Sequence, residues 1–308
     1  MRPERWRSET GAVSSDKLSL IQDDTKIRRR SFRRQGEIFF GLDLCEQRKS
    51  GENMKLNGRV ALVTGGAGGI GGAVARSLAN AGVGGVAVNY RKSAKDAENL
   101  ALEIAGRGVK AIAIQADVQS DAQVRAMVAK IGAEFGRLDI LVNNAGVTHW
   151  VKVSDLEALT DAIWDEILDV NVKGAFRCAR AAAKLLQDHQ GMIVNVSSIS
   201  GVLSPSTMSS LAYGTAKAAL IHLTKGLAIA LAPKVRVNCV APAFTDTPWM
   251  SGHYGADYQQ VIAQASAGYP LQRIATPDEV AGAILGLIAG CDFVTGQTLI
   301  VDGGLSLS

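Results

Sequence analysis

A tyrosine and a lysine stand four residues apart in the segment Tyr213-Gly214-Thr215-Ala216-Lys217. On a helix this spacing places both side chains on one face, so that an ammonium group would lie near a phenol. Because a neighbouring positive charge stabilises a phenolate, we expect Lys217 to lower the pKa of Tyr213 and to make it an acid or base near neutral pH. By itself the pattern also occurs on ordinary surface helices.

Two serines upstream strengthen the chemical interpretation. Ser197 and Ser198 end an apolar run that begins at residue 191. A hydroxyl at this point could donate a hydrogen bond to a reacting carbonyl oxygen and stabilise the charge that develops there. A phenol, an ammonium and a hydroxyl together indicate proton transfer to a carbonyl or from an alcohol.

A glycine-rich turn, TGGAGGIG at residues 64–71, follows a short apolar run and precedes a helical pattern. Such a turn lets backbone N–H groups approach a pyrophosphate at the helix N-terminus, although glycines alone would also suit a simple tight turn.

The residue that reads the ribose of a dinucleotide is expected about 20 residues further on. There the sequence is Asn89-Tyr90-Arg91-Lys92-Ser93, which offers no carboxylate for a ribose hydroxyl. Arg91, Lys92 and Ser93 suit a 2′-phosphate, and a solvated basic loop is the alternative. We therefore predict NADP as the cofactor, with NAD possible.

The segments around these motifs alternate between apolar runs and helical patterns such as 71–80, 94–107 and 121–135. The predicted strands are Val60–Thr64, Val86–Asn89, Ala111–Gln115, Ile140–Asn143, Gly191–Ser197, Lys234–Val240 and Thr298–Val301. Continuous apolar runs are typical of parallel strands covered by helices on both faces. We predict an α/β fold, a Rossmann-type doubly wound parallel sheet in a single domain over residues 54–308.

The amino-acid composition excludes several classes of protein. Of 308 residues, 47% are hydrophobic and 20% charged, which excludes a mostly disordered chain. We expect no membrane partner, because no apolar stretch of about 18 residues is present. The four cysteines lie far apart, so we predict no metal site and no disulfide framework, and we expect reduced thiols in the cytoplasm.

Residues 1–53 differ from the rest, with runs of arginine at 28–30 and 33–34. They carry +3 of the net charge of +4. Because residues 54–308 are therefore nearly neutral, we expect no nucleic-acid partner. We expect an inert, disordered N-terminal extension, which translation from a start upstream of Met54 would explain. A targeting peptide and a basic arm for nucleic acid or anionic lipid are the alternatives.

The ordered motifs resemble the short-chain dehydrogenase/reductase family over nearly all of 55–308. They are TGGAGGIG at 64–71, Asp117-Val118, NNAG at 143–146, NVKG at 171–174, Ser198, YGTAK at 213–217, VNCVAPAFTDT at 237–247, and the ending 294–304. Within the family the chain is similar to 3-oxoacyl-[acyl-carrier-protein] reductase-like and glucose dehydrogenase-like members.

The resemblance implies a role for each matching residue. Tyr213 would act as the general acid in reduction or the base in oxidation. Lys217 would bind the nicotinamide ribose, Ser198 would orient the carbonyl, and Asn171 would kink its helix and hold a water that relays protons to Lys217. The residues expected to contact the cofactor are Gly65, Gly68, Gly69, Ile70, Gly71, Tyr90, Arg91, Lys92, Ser93, Asp117, Val118, Asn143, Asn144, Ala145, Gly146, Tyr213, Lys217, Thr245 and Thr247.

The implied activity is hydride transfer between a nicotinamide cofactor, with NADPH favoured, and a small carbonyl or alcohol substrate. A 3-oxoacyl-carrier-protein reductase and a non-enzymatic dinucleotide sensor are the alternatives. Relatives form dimers or tetramers through helices that would here be roughly 160–187 and 212–231, and a homotetramer or homodimer is expected. The alanines that would permit close helix packing are Ala179, Ala181, Ala182 and Ala183.

Three features depart from the family pattern. Ala243 replaces a usual glycine, and Gly68 replaces a basic residue common in relatives that use NADP. The spacing of 15 residues between Ser198 and Tyr213 predicts a longer loop at 203–210. Substrate choice is expected to depend on the loops at 149–150 and 202–203 and on a mobile lid at 249–258.

Overall fold

Seven parallel strands form the centre of the computed structural model, which describes residues 56–203 and 210–307. They are β1 (Val60–Val63), β2 (Gly85–Tyr90), β3 (Lys110–Gln115), β4 (Ile140–Asn143), β5 (Met192–Val196), β6 (Arg236–Pro242) and β7 (Thr298–Val301). Their order in the sheet is β3-β2-β1-β4-β5-β6-β7. This order confirms the predicted doubly wound Rossmann-type sheet. It places the carboxyl ends of β1 and β4 side by side, at the switch point where such folds bind ligands.

Helices connect the strands and cover both faces. They are α1 (Gly69–Asn80), α2 (Ala94–Ala105), α3 (Asp121–Phe135), α4 (Asp161–Leu168), α5 (Ala175–Asp188), α6 (Leu211–Leu231), α7 (Pro248–Tyr254), α8 (Tyr258–Ala267) and α9 (Pro277–Ala289). A π-helical turn, Asp169–Gly174, joins α4 to α5. The expected extension at 1–53 lies outside the described residues, as does most of the loop predicted at 203–210.

Neighbouring residues of each central strand enter opposite cores, which explains the continuous apolar runs. Ala61 and Val63 of β1 pack with α1, α2 and α9, whereas Val60 and Leu62 pack with α3, α5 and α6. The edge strand β7 differs from this pattern. Leu299 and Ile300 stay partly exposed because β7 pairs with β6 alone.

The predicted elements are present, with small shifts at their ends. α1 begins at Gly69, two residues before the predicted start, and α2 ends at Ala105 rather than at residue 107. Gly108 ends that connection with a φ of 83°, which favours glycine. β6 begins at Arg236 because Val235 still donates its N–H to the last turn of α6.

Of the four α5 alanines expected to permit close helix packing, two are fully buried in their own chain, whereas Ala181 and Ala183 are half-buried, and packing of α5 between subunits stays a prediction. Ala179 and Ala182 are 1% and 0% exposed, and Ala181 and Ala183 pack against the same core. Their small side chains let α5 lie close to its own sheet.

An ion-paired carboxylate ties β1 to β4 at the edge opposite the switch point. Asp139 is fully buried, accepts hydrogen bonds from Arg59 at 2.6 Å and from Arg137 at 2.7 Å, and also accepts the Val60 N–H. Burial alone would raise the pKa of Asp139, but these hydrogen bonds outweigh it and hold the pKa below its usual value of 3.8. The contribution of this ionised group to stability is therefore present above pH 3.8 and is lost as the pH falls through the lowered pKa.

We expect Asp139→Asn to lower the free energy of unfolding at pH 7. The decrease should lie near the lower end of the roughly 3–5 kcal/mol that is typical of breaking a buried ion pair. Urea unfolding followed by circular dichroism measures the loss. Asp121→Asn is the matched control, because Asp121 also pairs with two arginines but lies on the surface, and it should cost much less. The difference between wild type and Asp139→Asn should shrink below pH 4, and equal losses in both variants would contradict this account.

Candidate active site

A cleft of about 1020 Å³ opens along the carboxyl edge of the sheet. Its walls come from the segments that follow β1, β2, β4, β5 and β6. The predicted residues along its wall are Gly65, Gly68, Gly69, Ile70, Ser93, Asn144, Ala145, Gly146, Ser198, Tyr213, Lys217, Thr245 and Thr247.

The glycine-rich turn leaves the N-terminus of α1 open to the cleft. Gly68 is the N-cap of α1 without a side-chain capping bond, and a Cβ there would meet open space. Gly65 has a φ of 60°, and a Cβ on it would come within 3.0 Å of the Ala145 Cα. The free N–H groups of this first turn suit an anionic group.

Two buried polar side chains hold the turn in place. The Thr64 hydroxyl accepts the N–H groups of Asn144 and Ala145, at 3.0 and 3.1 Å, so the segment after β4 is pinned to β1. The Asn89 side chain accepts the Gly65 N–H and donates to the carbonyl of Ala116. The carboxyl ends of β1, β2, β3 and β4 are thereby joined around the site.

Lys217 is buried, and its ammonium group donates to the Val196 carbonyl at 2.9 Å. Its Nζ lies 5.4 Å from the centre of the Tyr213 ring. Burial lowers the pKa of Lys217 to about 8. Spacing alone placed these two residues on one helical face, and the structure agrees.

The predicted lowering of the Tyr213 pKa is wrong for this structure. Burial raises the pKa of Tyr213 to about 12, and the hydrogen bond with the Ser198 side chain offsets only part of that rise. The reason is that burial removes the phenol from water, which penalises the charged phenolate. Tyr213 is therefore a neutral phenol at pH 7, with a proton to donate.

The two serines have different environments. Both serines line the cleft, but the Ser197 hydroxyl donates to the Lys217 carbonyl at 2.7 Å, whereas the Ser198 side chain is hydrogen-bonded to Tyr213. The geometry thus places Ser198, not Ser197, beside the phenol.

Asn171 lies in the π-helical turn and interrupts the regular helix, as predicted. Its amide nitrogen donates to the carbonyls of Ile167 and Val147, at 2.8 and 2.9 Å. Its buried Oδ1 has no hydrogen-bond partner. A Cβ on Gly146 would lie 2.8 Å from this oxygen and 3.5 Å from Lys217 Nζ, so only glycine fits between them.

A smaller second cavity shares lining residues with the cleft and contains three more of the predicted cofactor residues. Arg91, Asp117 and Val118 line it together with Gly65 and Gly146. The Arg91 guanidinium lies 3.9 Å from the Asp117 carboxylate, and both side chains are partly exposed.

Four residues of the predicted cofactor set line neither cavity. Gly71 packs α1 against the turn, since a Cβ there would collide with the Gly65 carbonyl. Tyr90 packs against the core, Lys92 is exposed, and Asn143 is buried in a polar chain with Asn195 and Thr224. Conversely, the sequence reasoning missed Phe244, Tyr269 and Leu305, which line the cleft and are brought there only by the fold after β6.

Several other expectations can be compared with the described residues. The segment at 249–258, predicted as a lid, forms α7 and the start of α8, and Ala243 is not among the residues with positive φ. Within 56–203 and 210–307, no cluster of three or more potential ligands could hold a metal ion. Over the same ranges, no helix has the length and apolar character needed to span a membrane.

Comparisons with known proteins agree with this fold. A family model described as Enoyl-(Acyl carrier protein) reductase matches residues 65–306. "Granaticin polyketide synthase putative ketoacyl reductase 2" of Streptomyces violaceoruber is 40% identical over 250 residues, covering 80% of this chain and 96% of that protein. The 3-oxoacyl-[acyl-carrier-protein] reductase FabG of Staphylococcus aureus is 36% identical over 248 residues, covering 80% and 97%.

The solved structure of Thermoplasma acidophilum aldohexose dehydrogenase superimposes with a TM-score of 0.72 at 32% identity, covering 83% of this chain and 97% of that one. The chain belongs to the short-chain dehydrogenase/reductase family of oxidoreductases.

Proposed function

We propose that this chain reduces the carbonyl group of a small molecule with a nicotinamide cofactor, NADPH in preference to NADH, and oxidises the alcohol in the reverse direction. The neutral Tyr213 phenol carries this proposal. It is hydrogen-bonded to Ser198 in the same cleft that the glycine-rich turn lines.

The residues present fit a dinucleotide. The uncapped first turn of α1 and the Cβ-free position of Gly68 would hold a pyrophosphate, and Thr245 and Thr247 would contact the nicotinamide end. Arg91 in the second cavity would hold the 2′-phosphate at the adenosine end. When bound, the cofactor supplies the hydride that adds to the carbonyl carbon.

The chain's own residues manage the proton. As the C=O double bond opens, the carbonyl oxygen takes the proton of the Tyr213 hydroxyl, and the Ser198 hydroxyl donates a hydrogen bond to the same oxygen. The ammonium of Lys217 stabilises the phenolate left behind. Asn171 Oδ1, which faces Gly146 beside Lys217 Nζ, would accept a hydrogen bond from a water that returns a proton to the site.

A second candidate is reduction of a 3-oxoacyl group on a carrier protein, which the names of the two relatives favour. Under either function we propose a homodimer or homotetramer, which rests on the family resemblance alone. Cofactor binding without turnover of any carbonyl compound would instead indicate a dinucleotide sensor.

Tyr213→Phe tests the proposed chemistry most simply. Removing the proton donor should lower kcat for the best ketone, aldehyde or oxoacyl thioester by about 10²–10⁴-fold. Binding of NADPH, followed by its fluorescence, should be retained. Tyr254→Phe removes a phenol hydroxyl that does not line the cleft and should change kcat less than about twofold. Turnover near wild type in Tyr213→Phe would remove this residue from the mechanism.

Arg91→Ala tests the choice of cofactor. Loss of a charge-assisted contact of roughly 1.5–3 kcal/mol should weaken NADPH binding about 10–100-fold and leave NADH binding nearly unchanged. Isothermal titration with each cofactor measures both constants. Lys95→Ala removes a nearby exposed charge that lines neither cavity, and it controls for a general electrostatic effect. Equal affinity of the wild type for NADH and NADPH would overturn the role of Arg91.

A further inference from the structure

Three aromatic side chains from two separate segments meet beside Tyr213. Trp150 follows β4, and Trp249 and His253 stand four residues apart on one face of α7. His253 stacks on Trp150 with ring centres 3.9 Å apart and planes at 11°. Trp249 lies 5.6 Å from Trp150, tilted by 49°, and 6.3 Å from the Tyr213 ring. We call Trp150, Trp249 and His253 the aromatic cluster.

The segments that carry the cluster are held in place by polar contacts. His149 Nε2 lies 2.8 Å from a carboxylate oxygen of Glu166, which fastens the segment after β4 to α4. α7 begins with Pro248 in its first turn, and the Thr247 hydroxyl accepts the Met250 N–H. Because His253 fills one side of Trp150, the two segments also support each other. The indoles are therefore positioned before a substrate arrives.

The cleft around the cluster is apolar and nearly uncharged. Both indoles line it together with Ile199, Leu203, Phe244 and Met250. The charged side chains among the described residues that line the cleft are Arg76, Asp96, Glu103 and Lys217. The first three lie on α1 and α2, and Lys217 donates to the Val196 carbonyl beside Tyr213.

We propose that the substrate is an uncharged ketone, or the corresponding alcohol, that carries an aromatic ring, and that this ring packs against Trp150 and Trp249 while the carbonyl oxygen meets Tyr213 and Ser198. This inference rests on the proposed function and specifies its substrate class. Aromatic rings attract each other at centre distances of 4.5–7 Å, the range in which Trp249 already contacts Tyr213. A linear acyl chain lacks this interaction, and a carboxylate would lose its hydration without meeting a free cation.

Two neutral ketones with ten carbons, 2-tetralone and 2-decanone, separate ring recognition from hydrophobic burial. We expect kcat/KM with NADPH to be at least about tenfold higher for 2-tetralone, since each stacking contact is worth roughly 2–10-fold. 2-Tetralone bearing a ring carboxylate, and acetoacetyl-CoA as the thioester probe, should each be at least about tenfold poorer than 2-tetralone.

Variants of the aromatic cluster test whether the indoles cause the preference for 2-tetralone over 2-decanone. Trp249→Leu keeps an apolar side chain but removes the ring, and it should lower the 2-tetralone to 2-decanone ratio of kcat/KM by about 2–10-fold. Trp249→Phe keeps an aromatic ring and should retain most of the ratio even where the leucine variant folds poorly. Trp164→Leu is the matched control, because Trp164 lies on α4, packs against a separate apolar cluster and does not line the cleft. It should leave the ratio unchanged.

The outcomes distinguish the two levels of the proposal. If 2-decanone or acetoacetyl-CoA is reduced as efficiently as 2-tetralone, or if Trp249→Leu leaves the ratio unchanged, the ring inference is overturned while the reductase function stands. If the cofactor binds but none of the four compounds is reduced with NADPH or NADH, the proposed function fails and the ring inference fails with it.

Discussion

A buried ammonium group is the interaction on which the candidate site depends. Lys217 Nζ donates to the Val196 carbonyl at the end of β5, and the Lys217 carbonyl accepts the Ser197 hydroxyl. These two hydrogen bonds fasten α6 to the segment that carries Ser198. The phenol of Tyr213, one turn earlier on α6, is thereby held at hydrogen-bonding distance from Ser198. An amine so buried would be costly if it had no partner, and the Val196 carbonyl provides one.

The same burial shifts two pKa values in opposite directions. It lowers the pKa of Lys217 to about 8 and raises the pKa of Tyr213 to about 12. At neutral pH the site therefore holds a protonated phenol beside an ammonium group that is close to losing its charge. Under the proposed function, this state would suit donation of a proton to a carbonyl oxygen, and the Lys217 ammonium would stabilise the phenolate that remains. That stabilisation would be lost as the pH rises through 8.

Much of the fold followed from local patterns, because an apolar run between glycine-rich or polar turns becomes a parallel strand, with both faces buried in the central strands and exposed side chains in the edge strand β7. The NVKG motif, Ser198 and the YGTAK motif also indicated Asn171, Ser198, Tyr213 and Lys217, and the last three line the cleft. Three features could not be predicted from the sequence. The direction of the Tyr213 shift depends on the summed burial around the hydroxyl. The inward orientation of Ala179 and Ala182 depends on how α5 rotates on the sheet. Tyr269 and Leu305 reach the cleft only through the tertiary fold.

The pKa of the Lys217 ammonium can be measured directly. In the full chain labelled with ¹⁵N-lysine, the Lys217 signal can be assigned by its absence in Lys217→Arg and followed by NMR from pH 6 to pH 11. The structure predicts a midpoint near pH 8, because burial disfavours the charged form. A midpoint at the ordinary lysine value of 10.5 would show that the ammonium is hydrated, and it would contradict the buried anchor on which this description of the site rests.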